Sequence, residues 1–358
     1  MTTNEIMSMY PGELEEYVAA LGEKPYRARQ LFADMAKGYR IGEMSDLPLA
    51  FRSLLISQAD YRLPEIADKR VSKIDGTVKY LFRMTDGECV ESVFMRYEHG
   101  TSLCVSSQAG CAMGCRFCAS TLLGKARDLT ASEIYGQAVM AGRDTGERVD
   151  NIVLMGTGEP LDNFDNVVRF IRLISDSLGL GLGVRHISLS TCGLVPGIYR
   201  LAETGLPVTL SVSLHASDDA TRDALMPVNR AYNIEKLLTA CRDFFRKTGR
   251  RVTFEYTLIS GKNDSEKDAL KLADLLRKGM TDDGRVSPCH VNLIRLNEVE
   301  ETGLEAPSPD RAKAFAGTLR KAGINATVRR RLGADVTASC GQLRLRHIKE
   351  ENKQQKLL

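Results

Sequence analysis

Hydrophobic positions in the first sixty residues recur at helical spacing. Leu14, Tyr17, Val18 and Leu21 fall at i, i+3, i+4 and i+7, and Gly22 suits a helix end. Leu31, Phe32 and Met35 repeat the pattern. Ser45-Asp46-Leu47-Pro48 interrupts it, and Phe51, Leu54 and Leu55 start a third helix. The period then changes. Val78–Met84 and Cys89–Tyr97 alternate as strands do, with the hairpin signal Thr85-Asp86-Gly87 between them. From residue 101, apolar β-type runs appear at Leu103–Val105, Ile152–Met155, His186–Ser190, Val208–Leu214, Val252–Leu258 and Val291–Leu296. Helical patterns separate them. Thr130-Ala131-Ser132-Glu133 is a capping box opening one. Val167, Phe170, Ile171 and Ile174 mark a second. Ile234, Leu237, Leu238, Cys241, Phe244 and Phe245 mark a third that stops near Gly249, and Leu272, Leu275 and Leu276 a fourth.

Repeated β-α units imply parallel strands with helices outside. Six strands are too few for a closed eight-stranded barrel, so the fold class is α/β with a partial (β/α)6 barrel. The expected organisation is a small helical N-terminal domain at 1–60, a short β extension at 61–100, the barrel core at 101–345 and a polar tail at 346–358.

Composition narrows the classes. The 358 residues, 43% hydrophobic and 27% charged, are enough for a self-sufficient core. No apolar run reaches membrane-spanning length, and Met1 to Tyr17 lacks the apolar centre of a secretion signal. Nine cysteines without that signal point to the reducing cytoplasm. The net charge of +3 does not by itself announce a nucleic-acid binder. Its distribution is more informative. Lys24, Arg27, Arg29, Lys37 and Arg40 cluster near the start, and Arg329, Arg330, Arg331, Arg344, Arg346, Lys349, Lys353 and Lys356 near the end. Each cluster alone reads as a solvated face, but together they suit a clamp on a polyanion.

Candidate chemistry begins with Cys111, Cys115 and Cys118, spaced C-x3-C-x2-C. Thiolates are the usual ligands of iron–sulfur clusters, and three of them leave one iron of a 4Fe-4S cube open to a small molecule. Structural zinc wants four closed ligands, and neither His99 nor His186 is placed like a finger ligand. A disulfide framework needs oxidising surroundings and usually a short chain. The spacing resembles that of the radical S-adenosylmethionine (SAM) enzymes, in which the amino and carboxylate groups of SAM chelate the open iron.

Other polar residues fall at the carboxyl ends of the strands, where β/α barrels gather their sites. Met155-Gly156-Thr157-Gly158-Glu159-Pro160 follows the second run. Its glycines let backbone approach a ligand, and its carboxylate can accept from an ammonium. Ser190, Ser213-Leu214-His215 and Asn292 close or occupy later runs. The radical-SAM resemblance makes Gly158, Glu159, Ser190, Ser213, Leu214, His215 and Asn292 the candidate SAM contacts.

Further strings narrow the resemblance. Cys104 in Leu103-Cys104-Val105-Ser106-Ser107-Gln108, Glu91 in Val90-Glu91-Ser92-Val93 and Cys340 in Ala338-Ser339-Cys340-Gly341-Gln342-Leu343 stand beside Ser213-Leu214-His215-Ala216, Leu225-Met226-Pro227-Val228-Asn229 and Phe254-Glu255-Tyr256. Over nearly its whole length the chain resembles the RlmN/Cfr family of radical-SAM RNA adenine methyltransferases.

The resemblance implies two SAM molecules per turnover. Cys340 takes a methyl group from the first and becomes S-methylcysteine. The second, on the open iron of one 4Fe-4S cluster, is reduced by an external electron donor and cleaved to a 5′-deoxyadenosyl radical. That radical abstracts hydrogen from the methyl, and the resulting carbon radical adds to the adenine ring. Glu91 is the proton acceptor. Thiolate attack by Cys104 on Cys340 releases the product and leaves a transient disulfide. Gly158-Glu159-Pro160 follows the carbon-2 branch; the carbon-8 branch often has Ala after the Glu.

The implied substrates are 23S rRNA and the adenosine beside the anticodon in tRNAs, with the basic ends holding RNA, the target base unstacked, and the chain monomeric. A carbon-8 methyltransferase and a non-catalytic RNA-binding protein with a structural metal are the competing readings. Thr157, Cys192 and Arg295 depart from the commonest family pattern. Cys89, Cys192, Cys241 and Cys289 are assigned to packing, and His99, His186, His290 and His347 receive no role.

Overall fold

The computed structural model describes residues 5–282, 284–336, 342–345 and 347. Helices α1 (Pro11–Ala20), α2 (Tyr26–Ala36) and α3 (Leu49–Gln58) come first. Strands β1 (Glu65–Val71), β2 (Val78–Arg83), β3 (Cys89–Tyr97) and β4 (Gly100–Cys104) follow, then a small hairpin of β5 (Gln108–Gly110) and β6 (Lys125–Asp128). The alternating part runs α4 (Ala131–Thr145), β7 (Asn151–Leu154), α5 (Phe164–Ser175), β8 (Ile187–Thr191), α6 (Val195–Glu203), β9 (Thr209–Ser213), α7 (Asp219–Leu225) and α8 (Ile234–Thr248). It continues with β10 (Val252–Leu258), α9 (Glu266–Gly279), a two-residue pair β11 (Thr281–Asp282) and β12 (Arg285–Val286), β13 (Cys289–Arg295), α10 (Pro309–Lys321) and β14 (Ala326–Val328).

Among the described residues, ten strands join in one sheet, ordered β1-β2-β3-β4-β7-β8-β9-β10-β13-β14. From β4 onward every pairing is parallel, while β1 to β4 pair antiparallel. The six expected parallel runs are present. A seventh, β14, extends them; at three residues it is too short to show a period. His186 is not in a strand as expected but in a short 3-10 turn before β8, and β13 starts earlier than expected, at Cys289.

Strand alternation sorts the side chains by face. Ile187 and Leu189, Leu210 and Val212, Phe254 and Tyr256, and Val291 and Leu293 belong to the large core shared with the helices. Ser188, Ser190, Ser211, Ser213, Glu255 and Asn292 take the opposite face. Their register partners, Ser190↔Ser211, Ser213↔Glu255 and Glu255↔Asn292, form a polar row inside the barrel. The helices cover the apolar side as their spacing requires. Thr130 and Glu133 close the capping box with bonds of 3.3 and 2.9 Å, and Gly249 ends α8 at a φ of 66°. Leu14, Val18, Leu31, Phe32 and Met35 of the N-terminal helices share the same core as Ile134 and Val139 of α4. Each such fully buried side chain contributes about 1.5–3 kcal/mol.

The alternation in β2 and β3 suggests one wet face, yet both strands are buried on both sides. They are interior strands of the sheet. Tyr80, Phe82, Val90 and Phe94 join the helix-side core. On the other face Leu81 and Cys89 pack against Leu343. Lys79 and Glu91, both 0–1% exposed, form an ion pair of 2.9 Å on that inner face. Glu91 Oε1 also accepts the Arg344 N–H at 2.7 Å. Lys79→Met should therefore cost about 3–5 kcal/mol, because it removes the cation beside a buried carboxylate. The double variant Lys79→Met/Glu91→Leu should recover most of that loss. Denaturant midpoints of the three proteins measure both effects.

Candidate active site

The cysteine loop is held at both ends. At its start, Gly110 has a φ of 90°, and a Cβ there would sit 1.9 Å from the Gly124 carbonyl oxygen. Only glycine permits that approach, which lets Cys111 N–H donate to Gly124 O at 3.1 Å. Further along, Arg116 N–H donates to Leu225 O at the end of α7 at 3.0 Å, and Cys118 N–H to Cys115 O at 3.1 Å. Cys115 packs among Cys192, Leu225 and Met226. The string Leu225-Met226-Pro227, noted above only for its resemblance, is thus the floor under the loop.

The loop after β7 is fastened to the segment after β4. Ser107 and Gln108 N–H donate to Thr157 O at 2.9 and 3.1 Å, and Gly156 N–H to Val105 O at 3.0 Å. Gly158 has a φ of 110°, and a Cβ there would lie 2.6 Å from Gln108 Cβ. Glu159 is consequently fixed. Its Oε1 accepts Leu161 N–H at 3.0 Å and its Oε2 accepts Cys192 N–H at 2.7 Å. Burial pushes its carboxyl above the usual range, against those N–H groups and the Cys192 thiol.

These elements enclose a cavity of about 260 Å³ that Cys111, Cys115, Cys118, Gly158, Glu159, Ser190, Ser213 and His215 all line. Two other expected SAM contacts do not line it with their side chains. Leu214 is fully buried in the helix-side core, because it follows Ser213 and so faces outward. Asn292 stands one strand further and bonds Glu255 Oε2 at 2.8 Å instead. The polar residue facing the cavity there is Glu255, whose carboxyl is raised by burial and moderated by Arg329 and Asn292. The signal for it was a lone acid inside an apolar strand. Cys192, expected to pack only, also lines the cavity. Cys89 and Cys241 do pack, as expected.

The donor set fits an iron–sulfur cluster. Burial, with Cys118 nearby, pushes the Cys111 thiol up to about 11 and drives Cys115 up further. Thiols side by side in such surroundings ionise only when a metal compensates them. Among the described residues no three His, Cys, Asp or Glu side chains converge on a single metal ion. Zinc would need its sulfurs about 2.3 Å from one centre, whereas a cube spreads its ligands over separate irons.

A second cavity, of about 350 Å³, adjoins the first; both are lined by Met155, Ile294 and Arg329. Cys104, Val93 and Met95 form part of its wall, and Lys313, Arg329, Arg330 and Arg331 its rim. Cys104 pairs with Val93 in register. Glu91, two residues before Val93, shares that face, but its carboxylate is engaged by Lys79 and Arg344 and does not line the cavity. Cys340 lies outside the described residues, as does most of the segment 346–358.

His215, which lines the first cavity, ties the cysteine loop to β10. Its φ of 56° is left-handed, the sole such case outside glycine among the described residues. Its Nδ1 accepts Thr257 N–H at 2.9 Å, which puts the ring proton on Nε2. Its ring meets Phe117 of the cysteine loop edge-on, centroids 4.9 Å apart. Burial, aided by Arg222, lowers its pKa to about 3. The unfolded chain takes up this proton below about pH 6.5 and the folded chain does not. Stability contributed by the neutral ring is therefore complete above pH 6.5 and falls by about 1.4 kcal/mol per unit as pH drops towards 3. Asparagine tolerates the same backbone, so His215→Asn should lose less stability on acidification, by about 2 kcal/mol between pH 6.5 and 5. Parallel stability–pH curves for the two proteins would contradict this.

Comparison with known proteins agrees with this geometry. Residues 105–273 match the family model described as the Radical SAM superfamily. A probable dual-specificity RNA methyltransferase RlmN from Alkaliphilus oremlandii is 48% identical over 345 residues, covering 96% of this chain and 98% of that protein. One of the same description from Pelotomaculum thermopropionicum is 50% identical over 335 residues, 92% and 89% of the two chains. The crystal structure of a radical SAM methyltransferase from Sphaerobacter thermophilus superposes with a TM-score of 0.89 at 43% identity, covering 95% of this chain and 98% of its own. With three sulfurs, a fixed Glu159 and a Cys104 chamber set in this sheet, the chain belongs to the RlmN family of radical-SAM RNA methyltransferases.

Proposed function

We propose that the chain methylates carbon 2 of adenine in 23S rRNA and in the adenosine beside the anticodon of tRNAs, through an S-methylcysteine at Cys340. The observation that carries this reading is the pair of adjoining cavities, one lined by the three thiols and Glu159, the other by Cys104 beneath a basic rim. A purine in the second cavity would lie beside Cys104, with Lys313, Arg330 and Arg331 disposed towards its phosphates. The carbon-2 choice rests on Gly158-Glu159-Pro160 and on the names of the relatives.

A cluster held by Cys111, Cys115 and Cys118, with SAM bound beside it, would supply the one-electron chemistry that an electrophilic ring carbon needs, two SAM being used per turnover. The protein's own groups do the rest. Glu159 would accept from the SAM ammonium, and Ser190, Ser213 and His215 line the same chamber. Glu91 is assigned as the acceptor of the ring proton, a role that requires its carboxylate to exchange its bonds to Lys79 and Arg344 for the substrate. The Cys104 thiolate displaces the Cys340 sulfur from the product, forming a disulfide that a thiol reductant reopens. An external one-electron donor feeds each cycle. The protein acts as a cytoplasmic monomer. No described helix is long and apolar enough to cross a membrane.

Methylated RNA digested to nucleosides should yield 2-methyladenosine; 8-methyladenosine as the sole product would overturn the choice of carbon. Cys104→Ala should accumulate a covalent protein–RNA adduct visible on denaturing gels, and full turnover in that variant would remove its resolving role. Glu91→Gln should slow product formation by about 10²–10⁴-fold. Cys340→Ala should abolish transfer while SAM binding persists.

A further inference from the structure

Arg222 is the largest fully buried side chain of the described protein, 0% exposed. It sits on α7 and all five of its N–H groups are used. Nε donates to Leu214 O at 3.1 Å. Nη1 donates to Asn229 Oδ1 at 2.8 Å and Tyr232 O at 3.4 Å. Nη2 donates to Cys192 O at 2.7 Å and Ser213 O at 3.0 Å. Every acceptor is a neutral group. A guanidinium does not shed its proton in proteins, so a full positive charge is buried here. Such burial costs several kcal/mol per ion unless charge answers charge. The nearest negative charges are indirect: Asn229 Nδ2 donates to Asp219 Oδ1 at 2.9 Å and to Asp223 Oδ1 at 2.7 Å.

The position of this cation is informative. α7 carries Arg222 and also receives the cysteine loop, through Arg116 N–H to Leu225 O at 3.0 Å. Leu225 and Met226 pack on Cys115 and Cys192. The guanidinium does not line the cavity; it bonds the carbonyl of Cys192, which packs in one cluster with Cys115. Its fork holds the carbonyls at the ends of β8 and β9, including the two that precede the left-handed His215. Three thiolates and an iron–sulfur core form an anion there, and reduction adds one more negative charge. A fixed cation in low-dielectric surroundings stabilises the reduced state more than the oxidised one.

We propose that Arg222 is the positioning residue and counter-charge of the cluster site, raising the potential at which the cluster accepts its electron while its fork keeps the SAM-facing strand ends in place. The proposal rests on the cluster assignment and not on which adenine carbon is methylated.

The test is a reductive titration followed by electron paramagnetic resonance on anaerobically reconstituted protein, with iron content and SAM affinity measured on the same samples. Arg222→Gln should give a more negative midpoint potential. Arg222→Lys, which keeps the charge but has three donors, should hold the potential near wild type while SAM affinity falls on the order of tenfold. The double variant Asp219→Asn/Asp223→Asn removes negative charge beside the guanidinium and should shift the potential upward. Full iron content with an unshifted potential in Arg222→Gln overturns the proposal. Should Arg222→Gln take up no iron, an unshifted potential in the double variant overturns it. A wild-type protein that binds no cluster sinks this inference together with the functional reading, whereas a normal titration with the wrong methylated carbon touches the functional reading alone.

Discussion

Strand register is the constraint on which the molecule depends. Along β8, β9, β10 and β13 the residues Ile187 and Leu189, Leu210 and Val212, Phe254 and Tyr256, and Val291 and Leu293 face the helices, while Ser190, Ser213, Glu255 and Asn292 take the inner face, which Ile294 continues at the end of β13. A slip of one residue in any of them would exchange the two sets. It would bury Ser190, Ser213 or Glu255 under the helices and turn Leu189, Val212 or Phe254 into the cavity. The outer core built by Phe170, Phe244, Leu272 and their neighbours therefore does more than stabilise the fold. By refusing polar side chains it fixes which atoms line the interior.

That interior concentrates charge unusually well. Lys79 with Glu91, Glu159 under two N–H groups, Glu255 beside Asn292 and Arg222 among carbonyls are all nearly excluded from solvent. Each is held by partners from another segment: β2 for Glu91, β13 for Glu255, and Cys192 after β8 for both Glu159 and Arg222. Loops that elsewhere would wander are thereby tied to one another. Backbone strain at His215 persists for the same reason, since Asn263 and Thr257 hold its carbonyl and ring.

Much of this could be read from the residues. The six parallel runs, the capping box at Thr130 and the loop of Cys111, Cys115 and Cys118 carry periodic or spaced signals that need no tertiary context. Leu214 and Asn292 show that such reading does not reach the direction of a side chain. Both sit in polar strings at strand ends, but one alternates outward and the other spends its amide on Glu255. Arg222 and Cys192 gave no local sign, because a cation on a short amphipathic helix and a thiol after a strand ordinarily mean solvent and packing. β14 was too brief to show a period. The double burial of β2 and β3 depended on Leu343 and Arg344, more than 240 residues away in the chain, whose approach no window of sequence contains.

The shared wall between the two chambers bears on chemical probes. Met155, Ile294 and Arg329 border both spaces, so a molecule carrying an amino-acid head at one end and a purine at the other could occupy them at once if its tether passed that wall. The thioether of Met155 is compliant enough to yield to a slender linker, while Arg329 offers a landing point for an anionic one. A bisubstrate scaffold of this kind would draw its selectivity from the spacing between the chambers, a property that neither SAM mimics nor nucleoside analogues exploit alone.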